Sequence, residues 1–401
     1  MSCIASIIIP THNRSASLKK LLDKLHQQGF PFQNFEVVVV ADGCHDNTVE
    51  MVRSFKSAFK LSLLELPGLG AASARNAGAA IASGNWFIFL DDDMEPCEEF
   101  IEQHIKAHSN DNTVVIGYSP LRLEKKASVQ RMSLRHWWED KFQEMRKQNH
   151  RFKYSDLTSG NFSISANLFK RLDGFDTSMK CREDYEFGFR LIEAGSQFQF
   201  AYKAVAFHND EITSFHRSLL RKREEGRADV QMKNLHPHFI NKQAIHYLNA
   251  HSFLKTVYLK LLWHIPSVLD VSAKAAEHTA VLLQKLKLRS SWLNLNYRLH
   301  EYWYLRGLFE RLNSNDDLKE IQVGTIAVNE NLVCIIDLME GLQNAEQKID
   351  ELKPLAVIVL YKKELGTISY EGGYEQIKGI HLRKILKEQF TNELYSGLKE
   401  N

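Results

Sequence analysis

Apolar runs and helical patterns alternate through the first 120 residues, and this alternation limits the fold more than any other feature of the chain. Ile4 to Pro10 is a β-rich run that ends at a proline. Ser15 to Gln28 sets Leu18, Leu21, Leu22 and Leu25 at helical spacing and stops before Gly29. Phe35 to Ala41 contains four consecutive valines, a strand with no polar face. Thr48 to Phe59 reads as a helix, Leu61 to Leu66 as a short strand, Ala71 to Ala82 as an Ala-rich helix packed close to a sheet, and Trp86 to Leu90 as another apolar strand. Strands apolar on both faces and separated by helices predict a mostly parallel sheet covered on both sides, an α/β fold.

Ligands in such sheets bind beyond the carboxyl ends of the strands. Three of those ends carry polar residues here: Thr11-His12-Asn13-Arg14, Asp42-Gly43 and Asp91-Asp92-Asp93. Any one is explained by turn chemistry, since Asp, Asn and Gly favour turns. Their convergence on one edge points to a site. The triple aspartate is the sharpest element. Adjacent carboxylates repel each other and raise each other's pKa. Mg²⁺ and Mn²⁺ relieve that repulsion, prefer carboxylate oxygens and share them with substrate phosphates. If the chain is extended there, Asp91 and Asp93 point to the same side.

Beyond residue 120 the composition changes. Leu121 to Tyr154 is basic and helical and contains Trp137 and Trp138. Short strands and turns follow to Phe207. Ser214 to Leu312 reads as helical, with Arg217, Arg221, Lys222, Arg223 and Arg227 near its start. Ile321 to Asn401 mixes strands (Leu332 to Ile336, Ala356 to Leu360) with helices. The division expected is a catalytic domain over 1–230, a helical module over 231–320 and a small α/β module over 321–401. Of 401 residues, 44% are hydrophobic and 25% charged, enough for a sizeable core, and the net charge of +2 gives no global attraction to nucleic acid. The five cysteines are scattered with no Cys-x-x-Cys spacing, which predicts a reducing compartment without a disulfide framework or zinc site. The most apolar long stretch, Phe253 to Leu269, is broken by Lys255, Lys260, His264 and Pro266. A cytoplasmic protein is expected, with peripheral membrane contact left open.

Four blocks in order carry a resemblance: Ser6 to Arg14, Val38 to Gly43 with Asp46-Asn47-Thr48, Ala74-Arg75-Asn76-Ala77-Gly78 with Ala82-Ser83-Gly84, and Phe89 to Asp93. With Gly160 to Ile164, Gly174-Phe175-Asp176, Glu183 to Glu186 and Arg190-Leu191, the chain resembles the family 2 glycosyltransferases of GT-A fold over residues 4–230. The resemblance implies transfer of a sugar from a nucleotide-diphosphate sugar to an acceptor hydroxyl with inversion. UDP is the default donor nucleotide, with Mn²⁺ or Mg²⁺ as cofactor. It places Pro10, Thr11, Arg14, Asp42, Arg75, Asp91 and Asp92 at the nucleotide. It puts Asp93, Asp91 and His208 at the metal, Asp184 as the base that takes the acceptor proton, and Glu183 beside it. A plain alternative accompanies several of these. Arg75 can be a structural partner of an aspartate, Glu183 and Asp184 suit a helix N-terminus, and a lone histidine is more often a local hydrogen-bonder.

The Gln-x-x-Arg-Trp pattern of processive polysaccharide synthases is absent, so single-sugar transfer in glycoconjugate or polysaccharide synthesis is expected, to a saccharide, lipid-linked or other hydroxyl acceptor. The basic cluster at Arg217 to Arg227 suits a diphosphate, an anionic acceptor or a membrane, or is a solvated helix face. Trp263, Trp292, Tyr302, Trp303 and Tyr304 read as packing residues of a helical module in preference to an interfacial membrane element, and the region after Ala250 is open to acceptor binding, oligomerisation or membrane docking. Two other readings compete. A sugar-phosphate nucleotidyltransferase would want a Gly-rich first loop, which Pro10 to Arg14 lacks. A catalytically inactive sugar-nucleotide binder would not need Asp91, Asp93 and Asp184 together.

Overall fold

In the computed structural model, residues 3–122, 127–209, 214–249, 252–312, 314, 317, 321 and 333–399 are described. The expected α/β class is present. An eight-stranded sheet has the order β3-β2-β1-β4-β7-β6-β8-β5. Its first half is parallel: β1 (Ala5–Thr11) lies between β2 (Phe35–Asp42) and β4 (Trp86–Leu90), and β3 (Lys60–Leu66) follows β2. The helices α1 (Ser15–Leu25), α2 (Thr48–Ser54) and α3 (Ala71–Ile81) make the crossovers.

The valine run is buried because both faces of β2 are covered. Val37 and Val39 join α1 leucines and Phe35 on one side, while Val38 and Val40 meet Ala74 of α3 on the other. Pro10 is tolerated inside β1 because pairing with β4 ends at Ile8, so no ladder bond on that side is lost. The helix expected over 48–59 stops at Ser54, where Phe55 turns extended and Phe59 drops into the core.

The second half of the sheet departs from parallel. β7 (Asn161–Ser165) runs antiparallel to both β4 and β6 (Thr113–Tyr118), and β8 (Gln197–His208) is parallel to β6 and antiparallel to the short β5 (Met94–Pro96). This brings His208 opposite Met94, directly after the aspartates. Helix α4 (Phe100–Ala107) follows β5. Helices α5 (Val129–Met145), α6 (Ala166–Arg171) and α7 (Glu183–Glu193) complete this half.

Helix α8 (Phe215–Leu235) runs unbroken through residue 230 and packs with α9 (Lys242–Leu248), α10 (Phe253–His264), α11 (Pro266–Lys285) and α12 (Arg289–Phe309) around Trp292, Tyr302, Trp303 and Tyr304, all buried. Those aromatics are packing residues, as their spacing suggests. Part of the basic cluster is held within the helices: Arg223 and Arg227 pair with Glu310, and Lys222 with Glu225, while Arg217 and Arg221 are exposed. The C-terminal module is a three-stranded sheet of β9 (Val333–Asp337), β10 (Ala356–Tyr361) and β11 (Lys363–Ile368), with a helix over Leu342–Leu352 joining the parallel β9 and β10. Leu332, expected to start β9, lies outside the described residues, as do 123–126 of the basic segment, Asp210 beside His208, and 322–331. Among the described residues no helix is long and apolar enough to cross a membrane.

Candidate active site

Strand β1 is the point where the chain switches direction across the sheet, with β2 on one side and β4 on the other. The crevice above it is where an α/β sheet binds ligands. Thr11, Asp42 and Asp91 stand at the three strand ends around it.

The aspartate triplet does not continue β4. Met94 N–H donates to the Asp91 carbonyl at 3.2 Å, so Asp92 and Asp93 form a turn. Asp91 and Asp93 therefore face different partners, contrary to the extended-chain expectation. Thr11 Oγ1 donates to Asp92 Oδ2 at 2.7 Å, and Arg14 Nη1 reaches Asp92 Oδ1 at 3.3 Å and Asp93 Oδ2 at 2.5 Å. Asp91 turns the other way. Arg75, nearly fully buried on α3, donates Nη2 to Asp91 Oδ1 and Nη1 to Glu183 Oε1, both at 2.8 Å. The structural pairing weighed for Arg75 is thus present, and it spans both halves of the site. Gly160 lets this happen: a Cβ there would stand 2.6 Å from Asp91 Oδ2.

Asp42 serves the backbone. Its Oδ1 accepts from Gly68 N–H and Leu69 N–H at 2.9 and 2.7 Å, and its Oδ2 from Gly70 N–H at 2.6 Å. The loop before α3 is thereby tied to the end of β2. Gly43, at φ 65°, completes the contact, since a side chain there would strike Gly68 Cα at 2.9 Å. Pro10 shows no polar contact of its own.

Burial pushes the Asp92 carboxyl up to about 7 against the pull of Thr11 and Arg14. Burial acts on Asp93 too, but the His208 imidazole and Arg14 more than offset it and hold it at about 2. Asp184, in the first turn of α7, is pushed up to about 6 by burial and by the neighbouring Glu183 charge, with Arg75, the Ser159 N–H and Lys141 opposing. Its Oδ2 accepts from Ser159 N–H at 3.3 Å and its Oδ1 from Tyr185 N–H at 2.9 Å. Asp184 thus sits in the first turn of α7, beside Glu183 of the Arg75 bridge.

Asp93 Oδ1 is buried without a hydrogen bond, and His208 Nε2 faces it at 3.5 Å. Neighbouring ligands of one octahedral ion at about 2.1 Å stand about 3 Å apart, so with a small inward shift this carboxylate–imidazole pair would suit Mn²⁺ better than Mg²⁺. Among the described residues no three His, Cys, Asp or Glu side chains form a ready ligand set. The remaining positions would fall to substrate phosphate and water, as is usual for Mg²⁺.

Sequence reasoning missed Lys141, Trp137, Trp138 and Ser159. Lys141 Nζ lies 5.9, 5.3 and 5.8 Å from the ring centres of Trp137, Trp138 and Tyr185. It also donates to the Ser155 carbonyl at 2.6 Å. Burial lowers its pKa, with Asp156 and Asp184 opposing. The signal was available: Trp137 and Trp138 stand four and three residues before Lys141 on one helix, the spacing at which side chains meet.

Residues 6–173 match the family described as Glycosyl transferase family 2. Among curated proteins, the chain is 30% identical to validoxylamine A glucosyltransferase of Streptomyces hygroscopicus subsp. jinggangensis, over 47% of this chain and 51% of the relative. It thus spans about half the length of that relative. An uncharacterized glycosyltransferase of Haemophilus influenzae is 28% identical over 70% of this chain and 90% of its own length. Among solved structures, the mannosyltransferase PcManGT from Pyrobaculum calidifontis, in complex with GDP-Man and Mn²⁺, aligns at TM-score 0.48 and 17% identity, covering 75% of this chain and 86% of that one. Staphylococcus aureus TarS 1-349 aligns at TM-score 0.45 and 18% identity, covering 80% of this chain and 89% of that chain.

Proposed function

We propose that this chain, a member of glycosyl transferase family 2 through residues 6–173, moves a single sugar from a nucleotide-diphosphate sugar, UDP-sugar by default, to an acceptor hydroxyl, with inversion at the anomeric carbon. The observation that carries the reading is the bridge from Asp91 through Arg75 to Glu183 and on to Asp184. It joins the strand end where a nucleotide would sit to the carboxylate where an acceptor would be deprotonated. In this reading Thr11, Arg14, Asp91 and Asp92 line the nucleotide. Asp42 acts by holding the Gly68-Leu69-Gly70 loop against it, a positioning role rather than a direct contact with the nucleotide. Pro10 shapes the end of β1.

Asp93 Oδ1, left without a hydrogen bond and faced by His208, supports a divalent cation held by these two residues, and a diphosphate would bring negative charge for that cation to offset. When bound, such an ion acts as a Lewis acid for the charge that develops on the leaving diphosphate. Asp184 takes the acceptor proton. Its raised pKa suits a general base working near neutral pH. Trp137 and Tyr185, beside Lys141, offer apolar ring faces at the acceptor end. We place this domain in residues 1–230, with α8 running across that boundary into the helical module, and with the helical and C-terminal modules as its support.

A panel of UDP-, GDP- and dTDP-sugars, with glucose donors first because the Streptomyces relative is a glucosyltransferase, tests the reading by released nucleotide. Release from one donor should require Mn²⁺ or Mg²⁺, stop with chelator, and fall roughly 10²-fold or more in Asp93→Ala. No release and no nucleotide binding with any donor would refute the transferase reading. Release that is unaffected by chelator and by Asp93→Ala would refute the metal.

A further inference from the structure

Helix α11 is apolar on two opposite faces. Its inner face carries Leu269, Ala273, Ala276 and Ala280 into the core of the helical module. Its outer face carries Val268, Val271, Leu282 and Leu286, exposed by 63, 70, 54 and 59%. These four stand at i, i+3, i+14 and i+18, which at about 3.6 residues per turn is one side of the helix. Exposed Ala275 falls on the same line. An ordinary surface helix would be polar on this side. The preceding helix α10 repeats the pattern, with Leu254 and Leu261 exposed by 78 and 39% seven residues apart.

Charge along this stretch is mainly positive, although Lys255 is paired with Glu301. Between residues 252 and 300 the sequence holds seven Lys and Arg and two acids. Both acids turn inward. Asp270 accepts from the Tyr302 hydroxyl at 2.5 Å and from Arg306, and Glu277 accepts from Trp303 Nε1 at 3.0 Å and meets His216 at 2.8 Å. Exposed Lys274 and Lys285 flank the apolar line along one edge, and Lys287 and Arg289 follow at its end. The outward surface of α11 is therefore mainly apolar, interrupted by exposed Ser272, His278 and Thr279, with lysines along one edge and no acid.

We propose that this surface docks the protein on an anionic lipid bilayer, with α11 lying in the plane of the headgroups. An apolar stripe about 30 Å long bordered by lysines is what an interfacial helix presents, and each Lys near an anionic leaflet adds attraction. A symmetric second copy is the weaker fit, because an isologous contact would set this lysine-edged surface against itself. The proposal does not depend on the sugar-transfer reading, since docking is measured without donor or acceptor.

The test is co-sedimentation of the full chain with vesicles of phosphatidylcholine alone and of phosphatidylcholine mixed equally with phosphatidylglycerol. Wild type should pellet with the mixed vesicles, and less so as salt rises. Val271→Glu combined with Leu282→Glu should lower the bound fraction about tenfold or more. Lys274→Gln combined with Lys285→Gln should lose the preference for the anionic vesicles. Unchanged thermal melting shows that both variants are folded. Wild type remaining in the supernatant with both vesicle types would overturn the proposal. So would a glutamate variant that binds as well as wild type, or a dimer in solution that the same variant turns to monomer.

Discussion

At the scale of single residues, Arg75, Glu183 and Asp184 share one charge cluster. Glu183 raises the Asp184 pKa, and Arg75 lowers it while holding Glu183. A base must be unprotonated to work, so transfer by Asp184 is present above its pKa and lost below it. With that pKa raised to about 6, kcat/KM should fall about tenfold per pH unit below that value. Removing the Glu183 charge removes one of the causes that raise Asp184, so Glu183→Gln should move the acid limb to lower pH even while it reduces the rate. A limb that stays in place would show that Asp184 is not the titrating group. Asp184→Asn should reduce transfer roughly 10²–10⁴-fold with donor affinity unchanged, measured by nucleotide titration. That the aspartates and Glu183-Asp184 form a site was legible in their positions at strand and helix ends. Their pairings were not, because Asp91 and Glu183 are far apart in sequence and meet only through Arg75. The turn at Asp92-Asp93 was equally hidden, since three aspartates fit a strand end and a turn alike.

At the scale of elements, the tightest contact is the crossing of α8 and α12. Gly226 and Gly307 face each other's helix so closely that a Cβ on Gly307 would overlap the Arg223 carbonyl, and one on Gly226 the Tyr304 carbonyl. A glycine inside a helix costs stability relative to alanine in isolation, and here the close approach of two backbones compensates. Gly307→Ala should destabilise the protein by about 1–3 kcal/mol, as overpacking does, seen as a lower melting temperature, although it raises helix propensity. A stabilised Gly307→Ala would refute this packing. The alternation of strands and helices in the first half was readable because β1, β2 and β4 are apolar on both faces, a pattern that a sheet covered on both sides satisfies. The reversal at β7 was not, since Asn161 to Ser165 alternates in a way that parallel and antiparallel neighbours accept equally.

At the scale of the molecule, the helical module reaches into the site. Arg182, one residue before Glu183 and held at φ 60°, donates to Glu225 at 2.9 Å and to Asp229, both on α8, and to Gln243 on α9 at 3.3 Å. Asp229 also accepts from Asn241 at 2.6 Å and from the Tyr304 hydroxyl of α12. The start of α7 is thus anchored on three helices outside the sheet. The C-terminal module adds a second anchor: Tyr154 N–H donates to the Gly373 carbonyl at 2.7 Å, and Gly373 N–H to Glu193 of α7 at 3.0 Å. Asp229→Ala leaves part of this buried charge unmatched and should cost roughly 3–5 kcal/mol, read by thermal melting. Transfer should fall more than donor binding does, because α7 carries the acceptor end and not the strand ends at the nucleotide. Equal losses of both would mean that the network supports the whole fold and not α7 in particular.

The sequence by itself determined the class of the first domain, the edge of the sheet where polar residues gather, and the identity of the carboxylates there. Each of these follows from local pattern: apolar periodicity, turn chemistry and residue type at a strand end. Only the tertiary structure decided which carboxylate faces which cation, that Asp42 is taken up by backbone amides, that the arginines of α8 answer Glu225 and Glu310, and that α11 leaves an apolar face to solvent. Those outcomes depend on contacts between segments far apart in the chain, and no local pattern encodes which distant partner a charged or apolar side chain will find.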